Sequence, residues 1–464
     1  MTNILVRKFP GDKYTPYGLA SKLGARAILE SSTLERGKDR YSLLLIEEAF
    51  RIVHHSEEEY MFRSGRAWEK RPLEGKTLAD VAGVIAGQFE RNGIEIPLPT
   101  GGIGYLAFEF SQFCDDIRIP SKPSLTDIPM GIFLFGHVFL VFDHYTDNIW
   151  FLGLSYREKP ADLEEAYERI RGRMSDMNFN YLAEPVRESR SSILEDPAGE
   201  EEFKEGVRFI KEEIVRGNLL QCVLSRRLQV KTNLTALEAY RNLRRENPSP
   251  YMFYLDFGDF QLFGASPETH VKFRNSEASL RPIAGTRRRG ADRQEDLALE
   301  KELLADKKEL AEHLMLVDLA RNDLGRVCLP GSVNVTEFQS IEKYSRVMHI
   351  VSQVEGELLP GTTPADLVRA TFPAGTVSGA PKIQAIQTLS ALEKTNRGFY
   401  AGLVGYIEPD GMDTCITIRS GLMKSEVLTL QSGAGIVAGS EPERELEETR
   451  EKLRLFAGTL GITI

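Results

Sequence analysis

Residues 400–430 read YAGLVGYIEPDGMDTCITIRSGLMKSEVLTL. Three stretches rich in β-branched and aromatic residues, Tyr400–Ile407, Cys415–Met423 and Val427–Leu430, alternate with turns, as strands do. A charged helix, Pro442–Ala457, follows them. Strands that succeed one another without an intervening helix break the βαβ rhythm of a doubly wound sheet, so the chain reads as α+β.

Upstream, Phe203, Val207, Ile210 and Ile214 recur at helical spacing, and Gly217 offers a stop. A strand at Cys222–Val230, a helix at Thr235–Glu246, strands near Tyr251–Phe257, Phe260–Gly264 and His270–Phe273, and a largely helical stretch at Asp292–Ala320 complete this half. Glu184-Pro185, Ser189, Ser191, Ser192, Pro197 and Gly199 mark a linker. They divide the chain into residues 1–190 and 200–464. The first part is β-rich, with strands at Tyr41–Ile46, Ile132–Phe142 and Asn148–Leu154 and a helix over Ala161–Met177.

With 464 residues the chain is long enough for two cores, and a net charge of −10 speaks against a nucleic-acid binder. No apolar run approaches the ~18 residues a membrane span needs. Residues 1–10 carry no signal-peptide pattern. Cys114, Cys222, Cys328 and Cys415 are far apart, so a reduced, cytoplasmic protein is expected.

Several constellations could carry chemistry. Glu309 and Glu312 share a helix face, and Glu445 and Glu448 repeat that spacing. Each pair alone reads as a solvated face, but four carboxylates on two helices could hold a hard divalent cation such as Mg²⁺. Arg281–Arg287 is a Pro- and Gly-containing turn in which Gly285 admits a ligand to the backbone and Thr286 offers a hydroxyl. Pro373–Lys382 is dense in small residues and ends in a lysine, which suits an anion cradle or a plain loop. Arg419, on the strand face of Cys415 and Thr417, needs a buried anion, whether a substrate carboxylate or an internal partner. Gly433-Ala434-Gly435 forms a glycine turn before the acidic helix, and His349 stands in an apolar run, as a core residue or a proton-transfer group. Physics alone stops at an enzyme for a carboxylate-bearing small molecule.

Taken in order, Gln221–Arg227, Gly264-Ala265-Ser266-Pro267-Glu268, Ile283–Thr286, Glu312–Asp323, His349, Pro373–Lys382, Arg397-Gly398-x-Tyr400, Arg419 and Gly433–Thr449 resemble the chorismate-utilising family. That family includes anthranilate, aminodeoxychorismate, isochorismate and salicylate synthases. The resemblance implies two large antiparallel sheets packed as a sandwich with helices outside. It implies Glu312 and Glu448, with Glu445 beside them, as Mg²⁺ ligands, and Tyr400 and Arg419 as a clamp on the enolpyruvyl carboxylate. Gly285, Lys382 and the backbone of Gly433, Ala434 and Gly435 would also meet chorismate. Glu309 would act as general acid, His349 would handle the later proton, and Thr286 would contact the departing hydroxyl.

Gln221 stands where the water-activating members carry lysine, and Ala284 where aminodeoxychorismate-forming members often do. The resemblance therefore implies anthranilate formation with ammonia from a separate glutamine amidotransferase subunit in a hetero-oligomer. An aminodeoxychorismate-forming enzyme and a non-catalytic tryptophan-sensing subunit are the rival readings. Leu29-Glu30-Ser31 and Asn247–Phe253 resemble a tryptophan-binding element, with Ser31, Pro250, Tyr251 and Met252 as expected contacts of the inhibitor.

Overall fold

The computed structural model describes residues 3–33, 37–38, 40–176, 190–195, 199–344 and 347–463. Glu184, Pro185, Ser189 and Pro197 of the expected linker, and Met177 at the end of the expected helix, lie outside them. The strands form two antiparallel layers. The first runs Ile4–Pro10, Asn148–Leu154, Gly131–Asp143, Tyr41–His54, Ala27–Glu30, Tyr251–Asp256, Gln261–Ser266, Ser420–Lys424, Val427–Ile436 and Gln221–Thr232. The second runs Glu59–Ser64, Tyr41–His54, Gly131–Asp143, Ile103–Leu106, Leu403–Glu408, Gly411–Ile416, Thr269–Arg274, Glu277–Leu280 and Val347–Glu357. Ile283–Arg288 and Asn334–Lys343 also border that last strand.

Tyr41–His54 and Gly131–Asp143 belong to both layers. Their shared ladder breaks register between Leu45 and Phe50, and such bulges are how a strand bends from one sheet into another. The expected sandwich is therefore present, its layers joined through two long strands. Strand pairs also cross the expected division of the chain, since Ala27–Glu30 pairs with Tyr251–Asp256 and Ile103–Leu106 with Leu403–Glu408.

Alternation sorts the side chains. Leu43, Leu45, Phe139 and Val141 face the core between the layers. Leu44, Ile46, Leu140 and Phe142 face outward under helices that include Pro16–Leu23, Leu163–Ser175, Ala236–Glu246 and Pro442–Thr459. The helical stretch expected over 292–320 is two helices, Arg293–Ala305 and Lys307–Gly325. Asp306 separates them in an extended conformation, and its carboxylate caps the second by accepting from Lys308 N and Glu309 N. No described helix is long and apolar enough to cross a membrane.

Candidate active site

The site lies where the two layers part. One wall is the pairing of Gln221–Thr232 with Val427–Ile436, which sets Val223 opposite Gly435 and Ser225 opposite Gly433. Gly433-Ala434-Gly435 is strand, not the expected turn. A Cβ at Gly433 would stand 2.7 Å from the Tyr400 hydroxyl, and one at Gly435 2.7 Å from Gln221 Nε2. Glycine keeps both approaches open. The Ala434 methyl is buried in the core, leaving its backbone as the part a ligand could use.

The acidic pairs meet on this wall. Gln221 Nε2 donates to Glu312 Oε1 at 3.2 Å. Burial, reinforced by Glu309 and Glu448, raises the Glu312 carboxyl above its ordinary range. Glu445 is raised by burial and by Glu448. Lys452 Nζ lies 2.6 Å from Glu448 and donates to the Gly433 carbonyl at 2.9 Å. Lys452 was not among the expected residues, although its position one turn beyond Glu448 was legible in the spacing. Among the described residues no three His, Cys, Asp or Glu side chains form a ready metal cage. Oxygen donors crowded together against their own repulsion nevertheless fit Mg²⁺, which takes few protein carboxylates and completes its shell with other oxygens.

The opposite side is set by irregular backbone. The expected strand through Arg419 ends at Ile416 and a new one begins at Ser420. Between them the chain passes from the second layer to the first, and Arg419 sits at this crossing with φ +47°, its carbonyl accepting from Ala265 N at 3.0 Å. A left-handed arginine costs about 1 kcal/mol or more, and surrounding structure must hold it there. Burial lowers its pKa, countered by Tyr344 and Glu268.

Glu268 itself is buried, and that burial pushes its carboxyl up to about 7, against the pull of Thr376 and Arg419. It belongs to the Ser266-Pro267-Glu268 block but had no expected role, because only burial reveals its protonation. Tyr400 is buried too and raised to about 12 by desolvation.

Gly285, at φ +67°, makes a bulge in Ile283–Arg288, a strand rather than the expected turn. The bulge aims Thr286 at His349, with Oγ1 3.1 Å from Nδ1. Nδ1 is also 3.1 Å from the Gly285 carbonyl. A carbonyl only accepts, so the proton sits on Nδ1 and Nε2 carries the lone pair. Burial and the nearby Arg419 charge lower the His349 pKa to about 4, keeping the ring neutral.

Two expected residues already face charged neighbours. Lys382 is buried with its ammonium on Asp323 Oδ2 at 2.7 Å and the Thr371 carbonyl at 3.3 Å, so its charge is met by an internal carboxylate. Glu309 is half-buried at the start of its helix, 3.7 Å from Arg287. A second cavity of about 600 Å³ is lined by Ser31, Pro250, Tyr251 and Met252 together with Lys272, Asp413 and Tyr344. The Tyr344 ring stands edge-on to His349 at 5.5 Å, so this cavity ends one side chain from the site.

A family model described as chorismate binding enzyme matches residues 29–458. Anthranilate synthase component 1 of Spirochaeta aurantia is 54% identical over 99% of this chain and 96% of its own length. The crystal structure of anthranilate synthase component I from Streptococcus pneumoniae superimposes with a TM-score of 0.79 at 33% identity, covering 90% of this chain and 92% of that one. The menaquinone-specific isochorismate synthase of Escherichia coli shares the fold at a TM-score of 0.75 and 19% identity, covering 98% of this chain and 94% of that one. The chain belongs to the chorismate binding enzyme family, on the side of the anthranilate synthase component 1 proteins.

Proposed function

We propose that this chain converts chorismate and ammonia to anthranilate, pyruvate and water. The observation that carries the reading is the gathering of both charge types around one glycine strip. Glu312 reaches Gly435 and interacts with Glu448, which also presses on Glu445, while the Tyr400 hydroxyl stands over Gly433 and shares the field of Glu268 with Arg419. A substrate with two carboxylates fits such a set, one on a metal and one on arginine. Identity of 54% to an anthranilate synthase component supports the same product.

In this reading Glu312 and Glu448 would hold Mg²⁺, with Glu445 beside them. Bound Mg²⁺ would fix the ring carboxylate and draw charge from the ring. Arg419 and Tyr400 bind the enolpyruvyl carboxylate. Glu268, in place of Glu309, is the general acid, since a buried carboxyl near pKa 7 still carries the proton that the departing C4 hydroxyl needs. Ammonia adds at C2 as that hydroxyl leaves as water. His349 Nε2 then accepts the C2 proton, Thr286 and the Gly285 carbonyl holding the ring in the required tautomer. Cleavage of the C3–O bond releases enolpyruvate, which takes up a proton to become pyruvate. Gln221 cannot activate water as a lysine would, which leaves the nucleophile to come from outside. A separate glutamine amidotransferase subunit supplies the ammonia, and the assembly is cytoplasmic and hetero-oligomeric.

The test is product identity. The isolated chain with chorismate, Mg²⁺ and ammonium is expected to give fluorescent anthranilate and pyruvate, both lost with EDTA. Aminodeoxychorismate or isochorismate as product would overturn the reading, as would no turnover from folded protein.

The cavity at Ser31, Pro250, Tyr251 and Met252 binds tryptophan as inhibitor. Its lining mixes apolar Leu29, Pro250 and Phe253 with groups of both charge signs, as a zwitterion with a large side chain requires. Tryptophan at a hundredfold excess over its Kd should stabilise the chain by roughly 2.7 kcal/mol. The expected observation is a raised Tm together with lower activity, both abolished by Ser31→Phe. No change in either at millimolar tryptophan would sink this assignment.

A further inference from the structure

Tyr400 reaches the site on an irregular segment, and what holds that segment comes from far away in the sequence. The short 3-10 helix Phe108–Phe113 follows directly on strand Ile103–Leu106. Its Glu109 is buried, and its carboxylate accepts from Arg397 N at 2.6 Å and from Gly398 N at 3.1 Å. Phe108 N donates in return to the Gly398 carbonyl at 2.9 Å, and the Arg397 guanidinium lies 4.5 Å above the Phe108 ring. Gly398 is at φ +63° and Ala401 at φ +61°, so the turn is not one the chain adopts unaided. Its far side is tied to the crossing that carries Arg419. Ala401 N donates to the Thr417 carbonyl at 3.0 Å, and Thr417 N to the Gly402 carbonyl at 2.8 Å.

We infer that Glu109 is a positioning residue for the carboxylate clamp: it pegs the 397–402 turn, and thereby sets Tyr400 directly and Arg419 through Thr417. A carboxylate suits the task because it only accepts, and two adjacent backbone N–H groups buried together need an acceptor for each. This inference rests on Tyr400 and Arg419 being the substrate clamp.

Steady-state kinetics of Glu109→Gln and Tyr400→Phe, singly and combined, test it, with Tm recorded for each. Glu109→Gln turns one acceptor into a donor facing an N–H. The expected result is a chorismate KM raised about tenfold with kcat changed far less, as loss of uniform binding gives. Glu109→Asp should recover part of the loss. In the Tyr400→Phe background the same change should raise KM less than it does in wild type, the remainder running through Arg419. Multiplying effects, or a fall in kcat alone, would overturn the inference. An unchanged KM in Tyr400→Phe would sink the clamp, and Glu109 with it. An unchanged KM in Glu109→Gln beside an impaired Tyr400→Phe would sink Glu109 alone. Should Glu109→Gln fail to fold, Phe108→Leu removes the ring beneath Arg397 and should reproduce the KM effect.

Discussion

Glu268→Gln is expected to lower kcat about 10³-fold, within the range a positioned general acid contributes, while the protein becomes more stable above neutral pH. Gln keeps the size and hydrogen-bonding of the protonated acid but has no proton to give. The stability effect follows from the same burial. Burial raises the folded carboxyl from 4.5 to about 7. Between those values the folded chain holds a proton the unfolded chain has lost, so wild-type stability falls as pH rises through the window and the full penalty stands above about 7. That penalty is about 3 kcal/mol, and Gln does not carry it. Melting curves at pH 5 and pH 8 should nearly coincide with wild type at the first and exceed it at the second. A variant with wild-type kcat, or with no pH-dependent gain in Tm, would refute the assignment. In wild type the same titration should make kcat/KM decline above about pH 7, after correction for the fraction of ammonia that is unprotonated.

The second large effect is expected at Glu312. Glu312→Gln should reduce Mg²⁺-dependent turnover about 10³-fold, corresponding to several kcal/mol of lost charge stabilisation. Metal-free, the variant should be at least as stable as wild type, because Glu312 is buried and pressed by Glu309 and Glu448, and its neutralisation relieves the desolvation cost and the repulsion. Mg²⁺ should then raise the Tm of wild type and leave that of Glu312→Gln unmoved. Turnover within tenfold of wild type at equal Mg²⁺ would remove Glu312 from the metal site.

The fold class and the alternation of the strands were legible because each depends on periodicity, which a chain displays locally, whereas the meeting of the two acidic helices was implied only by the resemblance to a family. What escaped depends on other parts of the chain. Arg419 looks like a strand residue in Cys415–Arg419, yet the strand must stop there to change layers, and nothing in that sequence announces it. Gly285 and Gly433 both looked like turn glycines. One makes a bulge and the other clears space for Tyr400, and only the partner strand distinguishes these uses. Lys382 ends a loop that resembles an anion cradle, but Asp323, 59 residues earlier, takes its charge. Glu268 shows the same dependence, since carboxyls are alike in sequence and only burial sets one of them near neutrality.

The strand Ala27–Glu30 is made early and paired late. On its outer side it meets Tyr41–His54 almost at once, but on the other it meets Tyr251–Asp256, with Leu29 opposite Phe253 about 220 residues further on. At ribosomal speeds of about 5–20 residues per second, that partner emerges roughly 10–45 s later. Through that interval the nascent chain presents an open strand edge beside a row of apolar side chains, which is the geometry that invites wrong pairing. The architecture that places the Ser31 cavity between early and late strands therefore also sets a waiting time in biosynthesis. Yield of the intact protein should respond to chaperone supply and translation rate more than its equilibrium stability would suggest.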